Sequence, residues 1–600
     1  MIKKENMNNE PNVDALLFYF KHQNWQLLLQ ESQKILNNYP HYYFAHHTLG
    51  IAYFYLNQLE KATTAFQKAY HLNPNDSDLL KNYITALLKL KREKEAIVYL
   101  EQLISLINNT EEKKHYFIQL AQIQSKCKMP FAAMLNYANA VALDPKNSLL
   151  LNDFACSLLH IGENIEAENV LNESLKCAKN KEEEIKVKTL KLIEAPYFHN
   201  STPKKLKQIA LDYYQMQKYE PLFSFKKEEN IKTLKIGFVS GDFNFHVVSF
   251  FVEEWLKESK NLNLNLEFYA YSARNFEDLI TEKLKPLFKK FTPIFHLNDM
   301  DAAQIIFKDG IHILGDLSGH TAFSRLGIFK HRPAPVSFSA IGWLGSSASV
   351  GVDYIFGDSI VEPFDESTEK VFVLPSVFQV FSKKVDFPPV SISPFLKNAY
   401  FTFGAFQAPI KVNRQAILLW CEVLNNIPTA RFLWAHGELK EAAFCAHILG
   451  IFMENGVNPN RVRLVGNKNR MQYLHLHNEV DVILDTLPAT SATTLVEALL
   501  MGVPTMSILG KTRAGRFAAS FLHTAGLDDF ICENQTQFLN RLKTLTNLEQ
   551  SKAHPLAILR QKLRYQTLQS PLTDSALYAR QMEKAFFKMY ADFLKDENPR

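Results

Sequence analysis

Cysteine is sparse in this chain: six among 600 residues, at positions 127, 156, 177, 421, 445 and 532, with no CxxC or other metal-ligand spacing. That excludes a disulfide framework and a cysteine metal site, and it fits a reducing, cytoplasmic compartment. The excess of one sign of charge is small too, with 67 Lys and Arg against 62 Asp and Glu. The formal net charge of +5 is small for this length and argues against a nucleic-acid or anionic-membrane partner. No apolar run reaches the length of a membrane span, and the opening MIKKENMNNEP lacks the apolar core of a secretory leader. Neither a GxGxxG fingerprint nor a Walker lysine loop is present. What is present is enough apolar material, 47% of residues, to fill several cores.

The first third repeats itself. From Tyr43 to Asp76, the residues Leu49, Gly50, Tyr53, Ala62, Phe66, Ala69 and Pro74 fall at the spacings of a tetratricopeptide (TPR) repeat of about 34 residues. The phase returns with Ala96 and Leu100, with Ala121, Ala133, Tyr137, Ala140 and Pro145, and with Ala155, Ala167 and Leu171. A weaker copy ends at Pro40. About five repeats over residues 9–181 are enough to stack an α-helical solenoid. Its inner face is expected to present Thr48, Asn82, Gln119 and Asp153, polar side chains able to hydrogen-bond an extended peptide; the alternative for each is solvated helix surface. A protein partner follows by analogy with other such arrays.

A charged helical linker, 182–230, leads into alternating strands and helices, the pattern of a doubly wound parallel sheet. The first lobe, 231–395, opens with the strand Lys235–Ser240, then Gly241-Asp242-Phe243 and His246 near a helix start. His246 and His320 lie on strand-end loops, where such sheets hold ligands; His312 sits within a strand pattern and reads as core. Asp299-Met300-Asp301 fits a helix cap better than a metal site. The second lobe, 396–600, restarts the alternation and contains LDTLPATSATTLVEALLMGVP (Leu484 to Pro504). A strand, a small-residue loop and a helix N-terminus there aim free backbone N–H groups at one point, an anion site or else an ordinary βα turn. Thr493 and Thr494 add hydroxyls, and Glu497 can accept from a ribose. Lys411 is placed to neutralise a phosphate held there, Tyr473 offers a ring for a base, and Arg516 lies near the same sheet edge. Two such lobes around a nucleoside diphosphate make a GT-B fold, two doubly wound Rossmann-like lobes that transfer sugars.

FVSGDFNFH, DGIHIL, GHTA, RPAPV, DYIFGD, the Lys411 loop, LDTLPATSATT, MGVPT and AGRFAAS occur in order, and the chain resembles the O-linked N-acetylglucosamine transferase and SPINDLY family, its short bacterial members above all. The resemblance implies inverting, metal-independent transfer from a nucleotide sugar, UDP-GlcNAc foremost, to a Ser or Thr hydroxyl of a protein. By the same resemblance His246 matches the proposed base and Lys411 the diphosphate-binding lysine. Thr493 and Thr494 match phosphate contacts, Glu497 a ribose ligand, and Lys468, Asn469 and Arg470 base contacts; Tyr473 takes the place of a stacking histidine. Ala408, Ala492 and Leu476 depart from the family pattern around the donor, and GHTA stands nearer to SPINDLY, which brings in GDP-fucose. An N-glucosyltransferase and a nucleotide-binding scaffold without turnover are the other readings.

Overall fold

A computed structural model describes residues 13–363, 365–383, 386–466, 468–547 and 554–596. Residues 9–12 of the first expected repeat and 597–600 of the second lobe lie outside the described residues. The chain divides into two compact units, the first ending at Leu150 and the second running from Leu151.

The first unit is helical throughout: Asp14–Lys21, Trp25–Asn38, Tyr43–Tyr55, Leu59–Leu72, Ser77–Lys89, Glu93–Leu106, Thr110–Lys126 and Pro130–Leu143, joined by short turns. Side-chain caps start several of these helices. Asp76 accepts from the amides of Asp78 and Leu79 at 2.8 and 3.1 Å, satisfying donors that have no partner inside the helix. Gly50 lets one pair close up, because a Cβ there would meet the Phe66 ring at 2.4 Å. Phe66 is fully buried in a core built from Leu28, Ala62, Leu79, Tyr83 and Leu100.

The next helices, Ser148–His160 and Asn164–Cys177, continue the repeat pattern but are built mainly into the second unit. Contacts with the second lobe explain this. Gly162, at φ +85°, sits so near the Val412 carbonyl that a Cβ would lie 2.3 Å from its oxygen. Glu163 lies 3.5 Å from His447 and 3.8 Å from Arg414.

Seven parallel strands form the first sheet: β1 (Leu234–Ser240), β2 (Leu266–Ser272), β3 (Lys290–Pro293), β4 (Ile313–Asp316), β5 (Val336–Ser339), β6 (Tyr354–Gly357) and β7 (Lys370–Val373). Their order is β3-β2-β1-β4-β5-β6-β7. Six more form the second: β8 (Thr402–Ala405), β9 (Arg431–Ala435), β10 (Val462–Val465), β11 (Val482–Leu484), β12 (Thr505–Ile508) and β13 (Ile531–Cys532), ordered β10-β9-β8-β11-β12-β13 and again parallel. Strand order reverses between β1 and β4 in one sheet and between β8 and β11 in the other. In doubly wound sheets the loops at those switch points form the ligand crevice. The architecture is therefore a helical TPR array followed by two doubly wound α/β lobes, as expected.

The long terminal helix, Ser575–Lys595, is grouped by sequence with the second lobe, yet it packs into the core of the first. Tyr578, Met582, Phe586, Met589 and Phe593 join Ile236, Phe238, Phe268 and Phe338 in one apolar cluster. Among the described residues no helix is long and apolar enough to cross a membrane.

Candidate functional site

Five of the sequence-derived candidates fall on switch-point loops: His246 after β1, His320 after β4, Lys411 after β8, and Thr493 and Thr494 at the end of the stretch after β11. The β11 loop is the most elaborately built. Its helix, Thr493–Leu500, begins at Ala492 with no side-chain cap; the Leu495 and Val496 amides donate to the Ala492 carbonyl, and those of Thr493 and Thr494 are left to whatever enters. Thr493 and Thr494 are half-buried there. Thr490 anchors the loop to the next connection: its amide and its hydroxyl both donate to the Ala514 carbonyl at 3.0 Å. Asn413 Nδ2 donates to the Leu487 carbonyl at 2.9 Å. The buried Ser491 hydroxyl has no hydrogen-bond partner among the described residues.

Lys411 reaches this loop. It ends a short 3-10 turn, Pro409–Lys411, and its Nζ donates to the Thr490 carbonyl at 2.8 Å. Burial pushes its ammonium down to about 8, against the opposing field of Asp485. Lys411 is then a half-buried cation with one carbonyl partner and two further N–H donors, suited to an anion arriving at the same mouth.

The base-contacting candidates divide. Lys468 and Asn469 are exposed, and Asn469 caps the helix Arg470–Leu476 by accepting from the Gln472 amide at 2.9 Å. Glu497 corrects an expectation: it is 3% exposed, and its carboxylate is held by Arg470 Nη1 at 2.5 Å rather than offered to a ribose. Tyr473 packs edge-on against Phe406 and His477 beside that pair. The Arg470 guanidinium lies 6.0 Å from the Tyr473 ring centre and 5.7 Å from that of Phe250, a first-lobe residue. Tyr473 is thus wedged among Phe406, His477 and the Arg470 guanidinium rather than standing as a free stacking plate. Its neighbour His477 is fully buried, stacked 3.8 Å from Phe406, and pushed down to about 3 by desolvation.

In the first lobe His246 caps the helix Val247–Asn261, its Nδ1 accepting from the Val248 amide at 3.3 Å. Its side chain is 43% exposed and stands 3.7 Å from Asp242, whose carboxyl is raised by burial against the field of His246. An acceptor at Nδ1 places the neutral ring's proton on Nε2. His320 is more constrained than expected: its Nε2 bonds the Ser347 carbonyl at 2.7 Å, and Tyr213 and Trp343 enclose the ring. That makes it a loop fastener rather than a free cleft group. Arg516 likewise spends its donors on backbone, Gly510 of one lobe at 2.9 Å and Ile360 of the other at 3.1 Å, and so ties the lobes together. His312 accepts from the Lys235 amide at 2.9 Å in the sheet core. Asp301 and Asp299 open a helix, and Asp299 takes the Arg325 Nε at 2.6 Å.

On the repeats, Thr48 is corrected. It is 2% exposed and its hydroxyl donates to the Phe44 carbonyl at 3.0 Å, so it packs between helices instead of facing a peptide. Asn82 is half-buried, 3.1 Å from His47 Nε2. Gln119 is half-buried, with its side-chain oxygen unpartnered among the described residues, and Asp153 is exposed.

Size alone does not locate the site. Hollows of about 810 and 630 Å³ open at the N-terminal ends of β8–β10 and of β5–β7, away from the switch points. A smaller cavity of about 380 Å³ abuts the β11 loop, touching Asp485, Leu487, Pro488 and Gly510. Sequence reasoning passed over Asp485 and Ser491; the only available signal was their place in the strand-to-loop stretch.

The family model for glycosyl transferase family 41 matches residues 198–392 and 394–582, and a tetratricopeptide repeat model matches residues 43–76. The probable UDP-N-acetylglucosamine–peptide N-acetylglucosaminyltransferase SPINDLY of Solanum lycopersicum is 27% identical over 428 residues, 68% of this chain and 44% of that protein. The corresponding SEC protein of Arabidopsis thaliana is 26% identical over 381 residues, 61% of this chain and 38% of its own length. The chain spans less than half the length of these plant relatives. A solved structure of a mutant O-GlcNAc transferase from Thermobaculum terrenum shares the fold, with a TM-score of 0.71 at 22% identity, covering 92% of this chain and 98% of that one. With both lobes matched almost from end to end, the chain belongs to glycosyl transferase family 41.

Proposed function

We propose that this chain is an inverting, metal-independent transferase that moves a sugar from a nucleoside diphosphate to a Ser or Thr hydroxyl of a protein. The carrying observation is the convergence of the Lys411 ammonium and the uncapped first turn at Thr493 and Thr494 on one loop, at a strand-order switch point. As the anomeric bond breaks, charge accumulates on the departing diphosphate. A cation, two hydroxyls and a helix dipole stabilise it there, and losing one donor of this kind costs on the order of 10²-fold in rate. This arrangement supplies in side chains and backbone what a divalent cation supplies elsewhere. His246, carrying its proton on Nε2, orients the acceptor oxygen beside the anomeric carbon, and as the new C–O bond forms the hydroxyl proton passes to an oxygen of the departing diphosphate. Arg470, held by Glu497, and the exposed Lys468 and Asn469 bind the nucleoside end.

UDP-GlcNAc is the proposed donor, in keeping with the names of the plant relatives; GDP-fucose is the rival that the GHTA motif brings in. The repeats are proposed to hold the protein acceptor, with Asn82, Gln119 and Asp153 as polar contacts.

The test is incubation of the full chain with labelled UDP- and GDP-sugars and a protein lysate. Label from UDP-GlcNAc should enter protein through a linkage cleaved by alkaline elimination, and excess EDTA should leave the rate unchanged. Lys411→Ala should lower transfer by about 10²-fold or more while the circular dichroism stays that of the wild type. Full activity of that variant, or no transfer from any donor, overturns the proposal.

A further inference from the structure

The structure assigns to Asp485 the part of positioning residue for the diphosphate mouth: one buried carboxylate that shapes the β11 loop by holding the Ser491 amide of the same peptide whose Thr490 carbonyl binds Lys411, and that supplies a counter-charge across that peptide. This inference rests on the donor-site reading above and deepens it.

Asp485 is the first residue beyond β11, at the switch point, and is 4% exposed. Three donors from three chain segments meet on it. Oδ1 accepts from the Ser491 amide at 2.9 Å and from Gln407 Nε2 at 3.1 Å; Oδ2 accepts from the Ser507 hydroxyl at 2.7 Å. Gln407 extends the cluster. Its side-chain oxygen accepts from the Phe406 amide at 2.9 Å, and its carbonyl accepts from Trp434 Nε1 at 3.0 Å, so the carboxylate is keyed to β8, β9 and β12 together. Drawing the Ser491 amide inward turns the loop back toward the sheet. It leaves the Thr490 carbonyl to Lys411, the Ser491 hydroxyl unpartnered, and the Thr493 and Thr494 amides at the mouth. A loop held in this way meets its anion without reorganising, which is where such sites gain their strength.

The second part is electrostatic. Burial works against the Lys411 ammonium, and Asp485 is the charge that opposes it. The turn Pro409–Lys411 brings no other ionisable group, and the rest of the β11 loop brings none. The helix that follows carries Arg414, which lies 3.3 Å from Glu454 and 3.8 Å from Glu163. With the Asp485 charge removed, the lysine loses its proton at lower pH, and with it the capacity to neutralise a diphosphate.

The experiment is calorimetric titration of the full chain with UDP, and in parallel GDP, from about pH 6.5 to about pH 9.5. Wild-type affinity should be level up to about pH 8 and then fall by about tenfold per unit, as a single required proton is lost. Lys411→Met should bind weakly with no such falling limb. Asp485→Asn should bind more weakly throughout, with its limb beginning at lower pH. Asp485→Glu, which keeps the charge while disturbing the hydrogen bonds, should bind more weakly with its limb at the wild-type position. A limb that stays put in Asp485→Asn, or moves equally in Asp485→Glu, overturns the inference and leaves the donor site standing. Absence of UDP and GDP binding by the wild type overturns both.

Discussion

Glu194, the last residue of the helix Lys181–Glu194, carries a carboxyl that is 3% exposed, with one oxygen unpartnered among the described residues. Burial raises it to about 8; burial also raises Cys156 and Tyr197 beside it, and the Glu194 charge adds to both. Folding therefore favours the protonated acid. Below the ordinary carboxyl value both folded and unfolded chains hold the proton, and stability is then lost as pH rises through the interval up to about 8. Glu194→Gln, which keeps the shape without the charge, should raise the melting temperature at pH 8.5 and change it little near pH 5. A pH-independent difference in scanning fluorimetry would refute this account. Composition could not have singled out Glu194, because neighbouring residues in the sequence do not report desolvation. Glu497 makes the same point at the site. Its place one turn into a helix at a phosphate mouth suggested a ribose ligand; its partner Arg470 lies 27 positions away and takes the carboxylate first.

At the scale of elements, the strand, small-residue loop and helix between Leu484 and Pro504 were legible because each depends on short-range chemistry: an apolar run, hydroxylic and small residues, and a glycine that ends the helix. The repeat was legible for a similar reason. Small residues recur where helices touch, and Gly50 against Phe66 is one such contact. Gly50→Val should force the Phe66 ring aside and destabilise the first unit by about 1–3 kcal/mol, measured by urea unfolding. Nucleotide binding, proposed at residues of the second unit, should stay at the wild-type level; its loss would show that the units do not act separately. Thr48 shows where pattern reading stops. Two positions before Gly50 in the repeat, it was expected on the inner face, but its Oγ1 lies 2.9 Å from the Ser32 hydroxyl of the preceding helix, in a buried contact.

Over the whole molecule, the terminal helix decides how the first lobe is completed. Phe586 is fully buried in that core, 5.5 Å from the Phe338 ring and 6.3 Å from the Phe356 ring. Phe586→Ala should cost about 3–5 kcal/mol, read as a lower urea midpoint for the second unit. A change within a few tenths of a kcal/mol would mean that the helix is dispensable to the core. By itself the sequence determined the repeat array, the two parallel-sheet lobes and the strand-end loops that carry Lys411, Thr493 and Thr494, because periodicity and βα alternation are written locally. Only the tertiary structure decided which side chains are engaged elsewhere. It gave Glu497 to Arg470, His320 to a backbone carbonyl, Arg516 to the junction of the lobes, and Gln407 to Asp485 across 78 positions. Such pairings follow from which polar groups lose water together, and that is fixed by packing between distant segments rather than by any one stretch of chain.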